Sequence, residues 1–152
     1  MDCTTGYNPM QWNCETQGCF NLKKRPKIEI FAECFPGRIA MTDVDGEVEI
    51  GGNILQIEWK SHTHIPRGQQ IKFERATKTC HLTVFVVKGD AETMEVDGFN
   101  IVSGGIIGPW FDADLEALKA TIKDWAHWAR FNQAPDLKSY FPVKVYPTQW
   151  QE

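Results

Sequence analysis

Residues 47–60 alternate between polar and apolar side chains on either side of a glycine-rich turn. The alternation runs through 47–50 and again through 54–60, and a Gly-Gly-Asn segment at 51–53 separates the two runs. A period of two on both sides of such a turn is typical of a β-hairpin. The sequence therefore predicts antiparallel strands here, within a strand region over 38–60.

Other patterned segments surround this region. A proline suited to a first helical turn predicts a short helix over 26–35. The helical spacing of apolar and basic residues predicts a second helix over 67–78. Residues 81–87 are apolar and β-branched, as in a buried strand, and the glycine-rich 89–110 segment predicts one or two short strands. Apolar residues then recur every three or four positions, which predicts a long helix over 112–132. This order predicts an α/β fold.

Length and composition limit the class of protein. The chain has 152 residues, of which 42% are hydrophobic and 24% are charged, which fits one globular domain spanning 1–152. Because no apolar run approaches the ~20 residues of a membrane helix, a membrane-spanning protein is not expected. The first residues have neither the basic stretch nor the apolar core of a secretory signal, so we expect the protein to work in the cytoplasm.

The net charge of −4 is unusual for a nucleic-acid-binding protein, which normally carries excess positive charge. The excess acid is unevenly distributed. Residues 1–78 hold ten basic and ten acidic side chains, and residues 79–152 hold six basic and ten acidic ones. The sequence therefore permits a basic face in the N-terminal half, and it concentrates the negative charge beyond residue 78.

Two carboxylates and a lysine are predicted to converge at the hairpin. Glu58 and Lys60 share one face of a strand because alternate residues point the same way. A tight turn brings Asp45 alongside Glu58 from the other arm. Two carboxylates form a hard oxygen site for Mg²⁺ or Mn²⁺, and a lysine offsets charge that develops on a phosphate. Asp43, two residues before Asp45, is an alternative or additional ligand.

These residues resemble the motif of the PD-(D/E)xK nuclease superfamily, in which an aspartate precedes a Glu-x-Lys strand. Asp45, Glu58 and Lys60 match it, and the segment Ile-Glu-Trp-Lys-Ser is similar to the corresponding segment of archaeal Holliday-junction resolvases. The resemblance covers about residues 26–87. It implies a restriction-endonuclease-like core of helix, three-stranded meander, helix and strand, here with a C-terminal helical extension.

The resemblance also implies further site residues and partners. A first-helix glutamate often joins the metal site, for which Glu33 or Glu29 is the candidate, and a second-helix glutamine is common, for which Gln69 is preferred over Gln70. The expected activity is Mg²⁺- or Mn²⁺-dependent hydrolysis of DNA, including branched or single-stranded DNA, with a homodimer as one arrangement. Small nuclease-like proteins of this type are frequent in phage genomes, which would place the chain in a bacterial host cell.

An alternative from another class is a non-catalytic protein that keeps the nuclease fold. Such a protein would bind a partner, or would inhibit a DNA-binding protein by presenting an acidic surface as a DNA mimic. The acidic composition is the observation that favours this alternative. Binding of Mn²⁺ at Asp45 and Glu58 would distinguish the two, because a mimic has no need of a metal.

Cysteines, histidines and tryptophans have competing interpretations. Four cysteines have two interpretations, a structural zinc site or buried free thiols. Their spacing is not that of a zinc knuckle, so buried free thiols are expected: Cys3, Cys14, Cys19 and Cys34. His62 and His64 either line the rim of the site or belong to a polar loop. Trp125 and Trp128 are expected in the core rather than as base-stacking platforms.

Overall fold

The computed structural model describes residues 26–39 and 41–134, and the chain divides into two compact units, residues 1–43 and residues 44–152. In the first unit, Ile28–Cys34 forms a 3-10 helix that ends where Phe35 adopts an extended conformation. A helix is present where the sequence predicts one, but it has the tighter 3-10 geometry. The sheet and both α-helices belong to the second unit.

The predicted hairpin is present. Strand β1 (Gly46–Ile50) pairs antiparallel with β2 (Asn53–Lys60), and Ile50 faces Asn53 across a two-residue turn. Gly51 and Gly52 occupy that turn with φ of 59° and 83°. Positive φ at both central residues matches the right-handed twist of the strands, and glycine adopts it without steric cost. The turn therefore determines the register that aligns β1 with β2.

A helical crossover follows the hairpin. Helix α1 (Arg67–Thr79) begins after Pro66 and connects β2 to β3 (Leu82–Asp90), which lies parallel to β2. Parallel neighbours require such a crossover because the chain must return to the same end of the sheet. The adjacent carboxyl ends of β2 and β3 consequently lie at the same edge of the sheet.

The remaining strands extend the sheet beyond β3 through antiparallel pairs. Strand β4 (Glu95–Ser103) pairs with β3, and two short strands, β5 (Ile106–Ile107) and β6 (Phe111–Asp112), both pair with β4. Helix α2 (Leu115–Phe131) closes the described chain, and the Asp114 carboxylate accepts a hydrogen bond from the Ala117 amide at its start. This is the N-terminal cap that the helix requires.

Two apolar cores lie on opposite faces of the sheet. On one face, side chains of α2 pack on Leu55, Phe85, Val87 and Phe99. On the other face, Phe73 of α1 and Ile65 pack on Val84, Val86 and Val102. Strand β3 is buried on both faces, which explains its continuous apolar sequence. The second unit is thus an α/β fold with a helix on each face of a mixed sheet.

Several predictions from the sequence are wrong in detail. The described residues of 38–60 form two strands and not a three-stranded meander, because residues 41–45 do not pair as a strand. The 89–110 segment holds the nine-residue strand β4 rather than short strands alone. Trp125 is buried as predicted, but Trp128 is 48% exposed. The predicted helices over 67–78 and 112–132 and the strand over 81–87 are confirmed within a few residues.

Candidate functional site

Strand alternation places Glu58 and Lys60 on the face of the sheet that α1 covers. Leu55, Ile57 and Trp59 of the same strand pack into the α2 core, so the intervening residues point to the opposite face. Both charged residues lie near the carboxyl end of β2. In open sheets with parallel strands, ligands bind at this end.

Glu58 forms an ion pair with Lys60 and a hydrogen bond with Gln69. Lys60 Nζ lies 2.9 Å from Glu58 Oε1, and Gln69 Nε2 donates to the same oxygen at 2.7 Å. The Glu58 and Lys60 side chains are 17% and 18% exposed. This partial burial strengthens their electrostatic interaction and still leaves them accessible to a ligand. The structure therefore brings together three of the residues that the sequence singled out.

The two neighbouring glutamines of α1 have different environments. Gln69 reaches Glu58, whereas Gln70 donates to the main-chain carbonyl of Ile65 at 2.7 Å and accepts from Arg67 at 3.2 Å. Gln69 Oε1 is buried and accepts no hydrogen bond from the described residues. The geometry therefore selects Gln69, and not Gln70, as the glutamine that contacts Glu58.

Asp45 lies just before β1 and binds the main chain of β2. Its Oδ2 accepts a hydrogen bond of 2.7 Å from the amide of Trp59, the residue between Glu58 and Lys60. This side-chain hydrogen bond extends the pairing of β1 with β2 beyond its last main-chain pair, which is Gly46 with Ile57. Asp45 is exposed. The hairpin brings Asp45 to the same end of β2 as Glu58, as the turn predicts.

Asp45 also lines an open cleft at this end of the sheet. The cleft has a volume of about 530 Å³ and is lined by Asp45, Trp59, Ser61, Gly89, Asp90, Ala91 and Asp97. Three of these seven residues are carboxylates, and none carries a positive charge. Glu58, Lys60 and Gln69 do not line it. The acid predicted to lie beyond residue 78 therefore reaches the neighbourhood of Asp45 through Asp90 and Asp97.

The other predicted metal ligands belong to the first unit. Glu33 is an exposed residue of the 3-10 helix, which also contains Glu29, and Asp43 is exposed at the end of that unit. Their participation stays a prediction. Within residues 26–39 and 41–134, no three His, Cys, Asp or Glu side chains form a group that could hold a metal ion.

The donors near Glu58 nevertheless suit a hard divalent cation. Asp45 and Glu58 are two carboxylates at the same end of β2, and both supply oxygen donors. Mg²⁺ is commonly bound by one or two carboxylates, with waters and substrate phosphate completing its shell. The two carboxylates therefore suit the chemistry of Mg²⁺ or Mn²⁺.

Some candidate residues have ordinary environments. His62 and His64 are exposed after β2, with ring centroids 6.3 Å apart. Cys34 and Cys80 are exposed free thiols, so the expectation of burial is wrong for Cys34. Cys3, Cys14 and Cys19 lie outside the described residues. In the described part of the chain, no helix has the length and apolar character needed to span a membrane.

Asn100 and Lys88 are polar residues near the site that sequence reasoning missed. Asn100 is 1% exposed in the middle of β4, and Lys88 lies opposite Lys60 across the parallel pair, 3.4 Å from Asp97. A signal for Asn100 was available, since an asparagine flanked by Phe99 and Ile101 in an apolar strand requires a partner for its buried amide.

Comparison with known proteins finds no matching family model, no matching curated protein and no matching solved structure.

Proposed function

We propose that the protein is a nuclease that uses Mg²⁺ or Mn²⁺ to hydrolyse phosphodiester bonds of DNA. The observation that carries the proposal is the contact of Glu58 with both Lys60 and Gln69 at the carboxyl end of β2. A partly buried carboxylate in contact with both an ammonium and an amide is a polar group whose removal from water costs free energy. This group lies at the carboxyl end of β2, where open sheets with parallel strands bind ligands.

The metal would be held by Asp45 and Glu58. When bound, it lowers the pKa of a coordinated water and stabilises negative charge on the phosphate. In the overall reaction a water oxygen bonds to phosphorus while the bond from phosphorus to the leaving sugar oxygen breaks. The products are a phosphate monoester and a hydroxyl group, and the water supplies the proton of that hydroxyl.

The protein side chains supply position and charge. Lys60, paired with Glu58, is a cation next to the reacting phosphate, where it orients the attacking water and offsets the negative charge of the transition state. The Gln69 amide holds the Glu58 carboxylate in one orientation. Asp45 is held by the Trp59 amide. Each group is therefore oriented before substrate binds, which reduces the cost of reorganisation during the reaction.

The arrangement of elements supports a restriction-endonuclease-like core. The β1–β2 hairpin, the α1 crossover and the parallel strand β3 correspond to the last two strands of the meander, the second helix and the following strand of that core. The departure is the first meander strand, which the described residues do not form. We propose that the core lacks this strand and that β4 extends the sheet beyond β3.

A second candidate function is favoured by the acidic cleft. Asp45, Asp90 and Asp97 line it, and Lys88 pairs with Asp97 alone at 3.4 Å, so the lining keeps a net negative charge that repels a phosphate backbone. A non-catalytic protein of the same fold that binds a basic protein partner would present such a surface. Isothermal titration with Mn²⁺ separates the two, because the nuclease requires metal binding that Asp45→Ala and Glu58→Ala weaken.

The decisive experiment measures cleavage by the whole chain. Linear, branched and single-stranded DNA and an RNA control are incubated with Mg²⁺ or Mn²⁺, and in parallel with chelator. We expect metal-dependent cleavage of at least one DNA substrate. Inactivity on every substrate with both metals would refute the nuclease, and cleavage confined to RNA would refute the choice of DNA.

A further inference from the structure

Two side-chain oxygens between α1 and the sheet are buried and lack a hydrogen-bond donor among the described residues. They are Oε1 of Gln69 and Oδ1 of Asn100. Asn100 as a whole is 1% exposed. Buried acceptors in native proteins are almost always satisfied by protein groups or by ordered water. The two oxygens therefore require a donor.

Asn100 lies on the same face of the sheet as Glu58 and in the same cross-strand row. Glu58 faces Val86 across the β2–β3 pair, and Val86 faces Asn100 across the β3–β4 pair. Val86 packs with Phe73 of α1, so this row points toward the helix. Two strand spacings separate the Cα atoms of Glu58 and Asn100 by about 10 Å.

Gln69 lies level with this row. Near the other end of α1, Thr77 Oγ1 accepts a hydrogen bond from the Gly105 amide at 3.0 Å, which aligns the helix with the end of β4. Gln69 is eight residues earlier in α1, about 12 Å along the helix axis. Asn100 is three residues, about 10 Å, from the end of β4 at Ser103. Helix α1 connects two parallel strands, β2 and β3, and therefore runs antiparallel to both. Strand β4 is also antiparallel to β3, so α1 and β4 run in the same direction.

We propose that one internal water molecule bridges Asn100 Oδ1 and Gln69 Oε1, donating one hydrogen to each. A water has two hydrogens to donate, so a single molecule satisfies both acceptors. The Gln69 amide is then held at both ends, with its nitrogen on Glu58 and its oxygen on the water. Asn100 is a positioning residue that orients Gln69 and, through it, the Glu58 carboxylate. Its importance to catalysis rests on the proposed function, whereas the bridge itself does not.

The test uses the side-chain amide signals of Gln69 and Gln70 in ¹H–¹⁵N NMR spectra of the whole chain. Asn100→Val removes the acceptor. Asn100→Thr introduces a side chain of nearly the same shape as valine, but its hydroxyl oxygen can still accept a hydrogen bond from water. We expect Asn100→Val to shift the Gln69 signal and to speed its hydrogen exchange by about two- to tenfold, the effect of losing one hydrogen bond. Asn100→Thr should restore most of the wild-type behaviour, and Gln70, bonded to Ile65, should be unchanged in both variants.

Two results would overturn the proposal. An unchanged Gln69 signal in Asn100→Val would show that Asn100 does not hold it, and equal shifts in the Val and Thr variants would indicate a packing effect without a role for the oxygen. If Asn100→Val does not fold, a high-resolution crystal structure of the wild-type chain decides. A water within about 3.2 Å of both oxygens supports the bridge, and direct amide-to-amide contact refutes it. Neither measurement depends on nuclease activity, so failure of the bridge and failure of the proposed function are distinguishable.

Discussion

Gln69 Nε2 donates a 2.7 Å hydrogen bond to Glu58 Oε1, joining residues that are eleven positions apart and belong to different layers of the fold. Glu58 is on β2, and Gln69 is in the first turns of the crossover helix α1. The same carboxylate oxygen lies 2.9 Å from Lys60 Nζ. One oxygen thus receives both a neutral and a charged donor, which restricts the orientation of the carboxylate before any ligand arrives.

Neutralising Glu58 should abolish the proposed activity without unfolding the protein. In Glu58→Gln the shape is kept, but the negative charge that would hold a divalent cation is lost. We expect Mn²⁺ affinity to fall at least about tenfold, the lower end of the effect seen when a group supporting a metal ligand is removed. Isothermal titration and a DNA cleavage assay measure the two effects.

Glu47→Gln is the matched control for Glu58. Glu47 is an exposed carboxylate that accepts a 2.8 Å hydrogen bond from the Gln56 amide, as Glu58 does from Gln69. Its neutralisation should leave Mn²⁺ binding and cleavage near the wild-type level. Equal losses in the two variants would contradict a specific role for Glu58.

Replacing Lys60 should separate catalysis from metal binding. Lys60→Met keeps the aliphatic chain and removes the cation, so we expect cleavage to slow by about 10²–10³, typical of losing one group that stabilises transition-state charge. Mn²⁺ binding should persist, since the carboxylates remain. Lys119→Met, which removes a surface ion pair with Glu116 of 2.8 Å, should change neither property. Cleavage at the wild-type rate in Lys60→Met would exclude Lys60 from the chemistry.

Asp45 should have a structural role and a metal-binding role that two substitutions separate. Asp45→Asn retains an acceptor for the Trp59 amide, whereas Asp45→Ala loses the hydrogen bond as well as the charge. We expect the alanine variant to be less stable than the asparagine variant by about 1 kcal/mol, measured by urea unfolding. Both variants should bind Mn²⁺ more weakly, and wild-type affinity in either one would remove Asp45 from the proposed metal site.

The hairpin turn should tolerate substitution less well than the start of α1. A Cβ at Gly52, which has φ of 83°, would lie 2.9 Å from Ala134 Cβ. Gly52→Ala should therefore destabilise the protein by at least about 1 kcal/mol. Gly68→Ala, in α1 with no neighbouring atom within 4 Å, should stabilise it by up to about 1 kcal/mol. Thermal unfolding measures both, and stability changes of the same sign would contradict the conformations assigned to the two glycines.

The elements whose signal is local could be predicted from the amino-acid sequence alone. Alternation around Gly51 and Gly52 predicted the β1–β2 hairpin and hence the approach of Asp45 to the strand of Glu58. Apolar spacing predicted α2, and the continuous apolar run over 81–87 predicted β3. The common face of Glu58 and Lys60 follows from the strand period alone, because neighbouring side chains in a strand point in opposite directions.

Tertiary structure decided which distant groups meet. Periodicity placed Gln69 and Gln70 on one helix but could not show which of them reaches Glu58, because that depends on how α1 is rotated and seated on the sheet. Nor could it align Asn100 with Glu58, since strand order and register are set by packing between segments far apart in the chain. The acidic cleft arises in the same way, from the meeting of Asp45 with Asp90 and Asp97 at one end of the sheet. Local patterns specify elements and faces, whereas a site assembled across strands and a helix exists only once long-range packing brings those faces together.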